Sequence, residues 1–566
     1  MSLPICVVTD AEGQTLEDGS RRYSGYYFRE ILAHAGIPFD EVSRPVSGTD
    51  LADRGLVLLP WNLTFDENEA RVISDFVEGG GALIGLGGSS GLDAVFGAED
   101  RGAMADGYLQ VVEGEHAIVN GLASSLHCFG GRRVKATGGR AICRVTGASD
   151  GIVEHRSGKG LSILIGPDLV STILQIQQGQ EVPPAEGPTR IDVIKGLTLD
   201  LDRDRLPIAE EGGLAFLEPI GDELRGIIIR AVLYACSVMD IRTPILWYWP
   251  DNLTAIAHMS HDSDGGDEAL GWSLFKLTQE VGIPTTWCIM AGHYQPEFYE
   301  AVREYGSEVA LHYDAQSFQT ADDETKPEVA HLKWGYDEFT GQLDTVARAA
   351  GCAVTTNKNH TLRWQGRLEF FRWCEKAGVT VEQSKGPNTP YTNGFPFGGC
   401  HPWFPMEDGE PGGKMIDVLE VNLTVQDIHR RCSTHLATQF AERIYKHYGI
   451  GHYLFHPAHV WDPAVRGGLR AIVGFIHDLE MPWWTAARIG QWERARRAVR
   501  FMRSGTGGYE LVAGESLQGA TLLFTGGGKA KVNGVNVEEQ VERYGFTLGT
   551  ATLDIAAGES GVGIQI

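Results

Sequence analysis

The sequence predicts an α/β protein of several domains, and three observations carry that expectation. The chain has 566 residues, more than a single hydrophobic core usually serves, so roughly two to four domains are expected. Across residues 1–245, and again across 246–502, apolar runs of strand length alternate with amphipathic stretches of helical length. That is the rhythm of parallel strands joined by crossover helices. Residues 503–566 abandon it for short strands between glycine turns, so a small β domain is expected to close the chain.

Composition narrows the partners. Apolar residues make up 43% of the chain, ordinary for a globular protein, and the formal charge is −26. So acidic a surface repels a phosphate backbone, which removes nucleic acid from the expected partners; a solvated surface that keeps the protein soluble is reason enough for the acidity. The nine cysteines are odd in number, scattered and free of any CxxC pair, as suits reduced thiols in a cytoplasm. No basic segment followed by an apolar run opens the sequence, and no stretch approaches the ~18 uninterrupted apolar residues of a membrane span. A cytoplasmic protein without membrane contact is expected, and a homo-oligomer stays open.

In the first region, Ile5-Cys6-Val7-Val8 reads as a strand, residues 23–35 as a helix, Leu56-Val57-Leu58-Leu59 as a strand, a helix starts near Glu67, and Ala82-Leu83-Ile84-Gly85-Leu86 is again a strand. Strands over 141–145 and 161–165 and a helix over 221–239 follow, with Pro244 and Pro250 flanking the expected linker. Leu59-Pro60-Trp61 at a strand end, and Phe76-Val77-Glu78-Gly79-Gly80-Gly81 leading into the next strand, resemble the class I glutamine amidotransferase-like fold. The similarity is greatest to its non-catalytic relatives attached to carbohydrate enzymes, and it implies a flavodoxin-like, doubly wound α/β domain. An active amidotransferase needs a low-pKa cysteine in the turn after such a strand. The corresponding stretch here, Gly85-Leu86-Gly87-Gly88-Ser89-Ser90-Gly91, has none, so a structural or binding domain is expected.

The middle region opens with a strand over 254–259 that ends in Ser260-His261-Asp262-Ser263-Asp264. Carboxylates at i and i+2 past a strand end can divide two tasks, one gripping a cation and one taking a proton, although an acidic turn uses the same residues. A helix over 270–281, a strand over 285–290, a helix over 296–305 and a strand ending in His312 follow. Strand–Asp-x-Asp, helix, strand, helix, then a strand ending in histidine resembles the polysaccharide deacetylases, including the nodulation-type chitooligosaccharide deacetylases. The resemblance implies a distorted (β/α) barrel over 246–502 with its site at the carboxyl ends of the strands.

It also implies roles. Asp262 matches the family's general base, Asp264 a metal ligand and His312 the first histidine ligand. The second histidine usually stands four residues further on, where this chain has Gln316. A branch with a His-Asp-x-Asp motif takes it instead from a later strand ending His-x-Leu-Arg, which Asn359-His360-Thr361-Leu362-Arg363-Trp364 resembles, after a helix over 333–350. Asp264, His312 and His360 thus form the implied triad, with a strand-capping histidine as the plainer role for His360. Gly451-His452-Tyr453-Leu454-Phe455-His456 resembles the family's late motif, which gives His456 the general-acid role, with His459 as the lesser candidate. Arg363 could orient Asp262 or make an ordinary ion pair. Trp483 and Trp484, with Trp364, are the aromatic candidates for stacking on a substrate, and core packing is the competing role. Segments 393–403 and 420–427 read as a substrate-side loop and strand without assigned roles. The family's arginine-proline-tyrosine element is not found.

The implied activity is hydrolysis of an acetyl group from an acetylated saccharide, an N-acetyl amide by preference, with a divalent metal. Zinc is the default for an Asp-His-His set, and cobalt, nickel and iron also suit it. Two other expectations stand beside it: a metal-dependent hydrolase of another small-molecule C–N (amide) bond, and a carbohydrate-binding protein that has lost activity. The altered second histidine motif speaks for the last, and the presence of Asp262, Asp264 and His456 speaks against it.

Overall fold

The computed structural model describes the chain apart from residues 1, 17–18, 113, 123, 148, 185–195, 210, 316–333, 505–507 and 527–529, and the side chains of 559–561. Gln316 and Lys333, the expected start of a helix, lie outside the described residues. No described helix is long and apolar enough to cross a membrane.

Among the described residues the first region forms an eleven-stranded sheet. Asp40–Ser43, Ile5–Thr9, Leu56–Leu59, Ala82–Leu86 and Gly160–Ile165 lie side by side and parallel, as the alternation of strands and helices implies. The remainder departs from it. Ser149–Ser157 joins Gly160–Ile165 through Gly158-Lys159, with Gly158 at φ 58, and a two-residue hairpin permits only an antiparallel pair. The sheet therefore continues antiparallel through Arg140–Val145, Asp106–Val111 and Leu126–Phe129. Glu67–Glu78 is helical from a capping box between Asp66 and Glu69. Ile220–Val238 is buried along nearly its whole length, because it carries apolar residues all round and is packed on more than one side.

The middle region is an eight-stranded parallel sheet in the order Leu419–Glu420, Val381–Glu382, Thr356–Asn359, Glu308–Tyr313, Thr286–Ile289, Ile256–Asp262, Ile450–Leu454 and Val425–Gln426. Its two edges belong to one stretch of backbone: Leu419–Glu420 pairs with Val381–Glu382, and Val425–Gln426 pairs with Ile450–Leu454. The sheet thus curls until its edges are consecutive pieces of chain. Along Ile256–Asp262 successive side chains alternate in direction. Ala257 and Met259 enter the apolar cluster beneath the helices. His258, Ser260 and Asp262 face the other way, into a polar interior where His258 Nε2 lies 2.9 Å from Gln383 Oε1 and Ser260 Oγ 2.8 Å from His452 Nε2.

The third region draws in strands from beyond residues 503–566. Pro244–Leu246 is not a free linker but a strand, antiparallel to Leu517–Phe524, in a four-stranded sheet with Phe546–Ile555 and Gln540–Arg543. Arg500–Arg503 likewise pairs with Tyr509–Ala513. The sequence pattern missed both because the partner strand is distant in the chain or begins a new sheet. First and middle regions are clasped by buried polar groups: His34 Nδ1 lies 2.7 Å from Glu493 Oε1, which Arg496 Nη2 approaches at 2.8 Å.

Candidate metal centre and catalytic site

Three side chains converge at the carboxyl ends of neighbouring strands. Asp264 follows Ile256–Asp262 by two residues, His312 lies near the end of Glu308–Tyr313, and His360 opens the turn after Thr356–Asn359. One ligand atom from each lies within 4.8 Å of the others. His312 Nδ1 donates to the Lys358 carbonyl at 2.9 Å, which leaves Nε2 facing Asp264 Oδ1 at 3.0 Å. His360 repeats the arrangement, with Nδ1 3.0 Å from Asp314 Oδ1 and Nε2 3.5 Å from Asp264 Oδ2. Each imidazole is thus oriented through one nitrogen and presents the other to a shared point, the arrangement of a metal ligand with its supporting partner. Immediately after His360, Thr361 has φ 56, a left-handed conformation that costs a β-branched residue of order 1–3 kcal/mol.

The charges around this point are strongly biased. Burial would lower His360, but Asp264 and Asp314 raise it to about 10. Burial would raise Asp264, yet hydrogen bonds to His312 and His360 and the charge of His456 hold it well below the usual carboxylate range. The carboxylates that hold a proton on His360 would equally attract a cation, so the donor set fits a divalent ion.

Asp262 and His456 flank the triad. Asp262 Oδ2 is 3.8 Å from His312 Nε2, and its Oδ1 is 3.5 Å from the Nζ of Lys358, which is fully buried and also hydrogen-bonded to Ser260. His456 Nε2 lies 3.6 Å from Asp264 Oδ2, while its Nδ1 is 2.7 Å from Asp427 Oδ2 and its amide donates to Asp427 Oδ1 at 2.9 Å. Burial would lower His456, but Asp427, with Asp264 and Asp262, lifts it to about 9. His459 Nδ1 lies 2.9 Å from the same Asp427 oxygen. Asp427, His456 and His459 also meet the spacing of a metal set; His456 turns its Nδ1 to Asp427 and its Nε2 toward Asp264, so Asp427 stands as its orienting partner.

Several sequence expectations change. The cation beside Asp262 is Lys358, whereas the Arg363 guanidinium stands 5.5 Å from the Trp334 ring. The sequence does not mark Lys358 because its strand, Thr356–Asn359, is wholly polar and carries no apolar pattern that would show its burial. Trp483 and Trp484 do not border the site. They pair with Ala257, five residues before Asp262, or roughly 17 Å of extended strand at ~3.3 Å per residue. Both are buried, and Trp484 packs edge-on against Trp249 at 5.9 Å. Trp364 is buried as well, with Lys385 Nζ 3.8 Å from its ring centroid. Trp461, two residues beyond His459 in the sequence, is 61% exposed. Asp314 and Asp427 are further residues that the sequence did not reveal. They act on histidines distant in the chain, and Asp427 only closes a segment left without a role.

Two expected results arise here. Trp484→Ala should lower unfolding free energy by ~3–5 kcal/mol in a urea titration and leave KM unchanged; a raised KM with intact stability would return this residue to the substrate. Asp314→Asn should weaken metal affinity by ~10–100-fold in competition with a chelator, and unaltered affinity would separate Asp314 from the centre.

No family model and no curated protein matches the chain. Among solved structures, the chain is similar to a Mycobacterium smegmatis protein provisionally described as a polysaccharide deacetylase, at 15% identity over 44% of this chain and 94% of that one, TM-score 0.31. It is also similar to the β-galactosidase of Bacillus circulans sp. alkalophilus, at 15% identity over 30% of either chain, TM-score 0.25. An exo-β-1,4-mannosidase from Opitutaceae bacterium strain TAV5 matches at 12% identity over 30% of this chain and 32% of that one, TM-score 0.24. The similarity to the two glycosidases thus spans about a third of their length, and likenesses this slight set neither the fold nor the activity of this chain.

Proposed function

We propose that the chain is a metal-dependent hydrolase that removes acetyl groups from an acetylated saccharide, with the N-acetyl amide as the preferred bond. The observation that carries this reading is the convergence of Asp264, His312 and His360 within 4.8 Å, with one further carboxylate and one further imidazole beside them. Asp264, His312 and His360 would hold a divalent ion, zinc by default, which supplies Lewis-acid polarisation of the acyl oxygen and the attacking water. Asp262 takes the water's proton, with Lys358 keeping its carboxylate in place. His456, held through Nδ1 by Asp427 and raised to about 9, delivers a proton through Nε2 to the leaving nitrogen. A free amine and acetate result.

The same reading gives 246–502 to a distorted barrel and 1–245 to a non-catalytic amidotransferase-like domain. Ser90, in the turn where such a nucleophile would stand, has φ 53 and its hydroxyl accepts the Leu63 amide at 2.9 Å. It closes the chain with a small β domain, whose sheets take in Pro244–Leu246 and Arg500–Arg503.

The burial of Trp364, Trp483 and Trp484 favours one second reading, hydrolysis of another small-molecule amide, because an aromatic groove for a saccharide loses those three residues. Elemental analysis of wild type beside His360→Ala, coupled to acetate release from a panel of acetylated saccharides, tests both. One metal per chain that the variant loses, with acetate released by wild type, supports the deacetylase. Metal without acetate moves the chain to the second reading, and a wild type without metal overturns both. Protons and a metal compete for His360, so affinity should fall as pH falls from 8 to 6 in a chelator titration; a flat profile would exclude His360 from the ligands.

A further inference from the structure

A second polar site lies away from the strand ends, in a cavity of about 190 Å³ where all three regions meet. Helix Ile220–Val238 contributes Arg225 and Arg230, the middle region contributes His401, Lys446 and His447, and the third contributes Tyr544. Arg225 is 1% exposed, and none of its three guanidinium nitrogens has a hydrogen-bond partner among the described residues. Arg230 Nη2 is likewise buried without one. A buried guanidinium without acceptors is costly to keep, so its donors point to an occupant of the cavity.

The sign of that occupant follows from the lining. Glu218, Glu223 and His447 bring ligand atoms within 4.8 Å of one another, with Glu218 Oε2, Glu223 Oε1 and His447 Nε2 all lacking hydrogen-bond partners among the described residues, and by geometry alone would suit a cation. The charges decide otherwise. Glu223 already has Arg230 at 3.6 Å and Lys446 at 3.7 Å, Arg443 stands 3.0 Å from Glu218, and Asp222 is engaged by the Cys400 amide at 2.6 Å. Among the described lining residues, three cations, Arg225, Arg230 and Lys446, face two carboxylates, Asp222 and Glu223. A divalent ion would enter a net positive cavity, whereas an anion would meet the open donors of Arg225, with Arg230 and Lys446, which also donate to the Ile118 and Gly121 carbonyls at 2.8 Å, adding positive charge.

We propose that this junction is an anion site, binding a small oxyanion of the phosphate or carboxylate type between Arg225, Arg230 and Lys446. Lys446, its side chain 40% exposed, stands at the mouth, and the bound anion ties the three regions together. Isothermal titration of the full chain with inorganic phosphate, and separately with acetate, in a chloride background tests it.

Wild type is expected to bind one oxyanion per chain saturably, with the tighter arm telling a tetrahedral ligand from a carboxylate. Arg225→Gln should weaken binding at least ~10-fold, and Lys446→Ala several-fold with an unchanged melting temperature, so a poorly folded Arg225 variant leaves the second test standing. Asp264→Ala should bind the oxyanion as wild type does, which separates this site from the proposed metal centre. The proposal is overturned if wild type binds neither anion, if both variants bind as wild type does, or if Asp264→Ala alone abolishes binding. One divalent ion per chain that Asp264→Ala keeps and Glu223→Gln loses would also overturn it.

Discussion

Asp262→Ala is expected to lose ~10²–10⁴-fold in kcat and to keep its metal, whereas Asp264→Ala should lose the metal and turnover together. The two carboxylates are separated by a single residue, yet the backbone turns between them. Asp262 is the last residue of a fully buried strand and faces Lys358 in the interior. Asp264 stands beyond the strand end, 32% exposed and 3.0–3.6 Å from three imidazoles. Among the described residues it is the second that groups with His312 and His360 within 4.8 Å. Metal analysis and acetate release on the same preparations separate the roles. Metal loss in both variants would make Asp262 a ligand, and retained turnover in either would remove the assigned chemistry.

Asp427→Asn should lower kcat by a comparable ~10²–10⁴-fold while metal content and KM stay near wild type. The Asn side chain can still accept the His456 amide, so the fold is conserved, but the charge that raises His456 is gone. Asp427 is the largest charge that raises His456, so the proposed acid keeps its proton to higher pH than a free imidazole, and activity should decline as pH rises. Without Asp427 the imidazole titrates lower, so the basic limb of the kcat–pH profile should move to lower pH. A uniform fall in kcat with an unmoved basic limb would mean that Asp427 only shapes the pocket. His459→Ala, which leaves the 2.7 Å Asp427–His456 contact intact, should have a much smaller effect on this limb.

Much of this arrangement was readable along the chain, because strand ends are local. The strands bearing Asp262 and His312 follow from apolar runs and the residues that interrupt them, whereas His360, after the polar run Thr356–Asn359, is marked only by the resemblance to a family segment ending His-x-Leu-Arg. What was not readable depends on distance or direction. Asp314 is 46 residues from His360 and Asp427 is 29 from His456, and no periodicity links such pairs. Lys358 sits in Thr356–Asn359, buried at every position, where only a curled sheet makes the interior polar. The tryptophans show the reverse limit: resemblance to the barrel's closing segment made them candidates for stacking on a sugar, but strand polarity puts Trp483 and Trp484 at the opposite end from Asp262. The antiparallel half of the first sheet was missed because a strand pattern does not reveal the direction of its partner.

The strand Pro244–Leu246 has a consequence for how the molecule comes into being. Thr243 donates its amide to Thr525, 282 residues later, and the strand pairs with Leu517–Phe524. During synthesis this stretch therefore leaves the ribosome long before its partner exists, with an open edge between two regions that can begin to fold. Contacts of such separation form late and slowly. Leu517–Phe524 thus completes the junction only after the first two regions have been made, and a chain truncated before residue 517 would present that edge to other molecules.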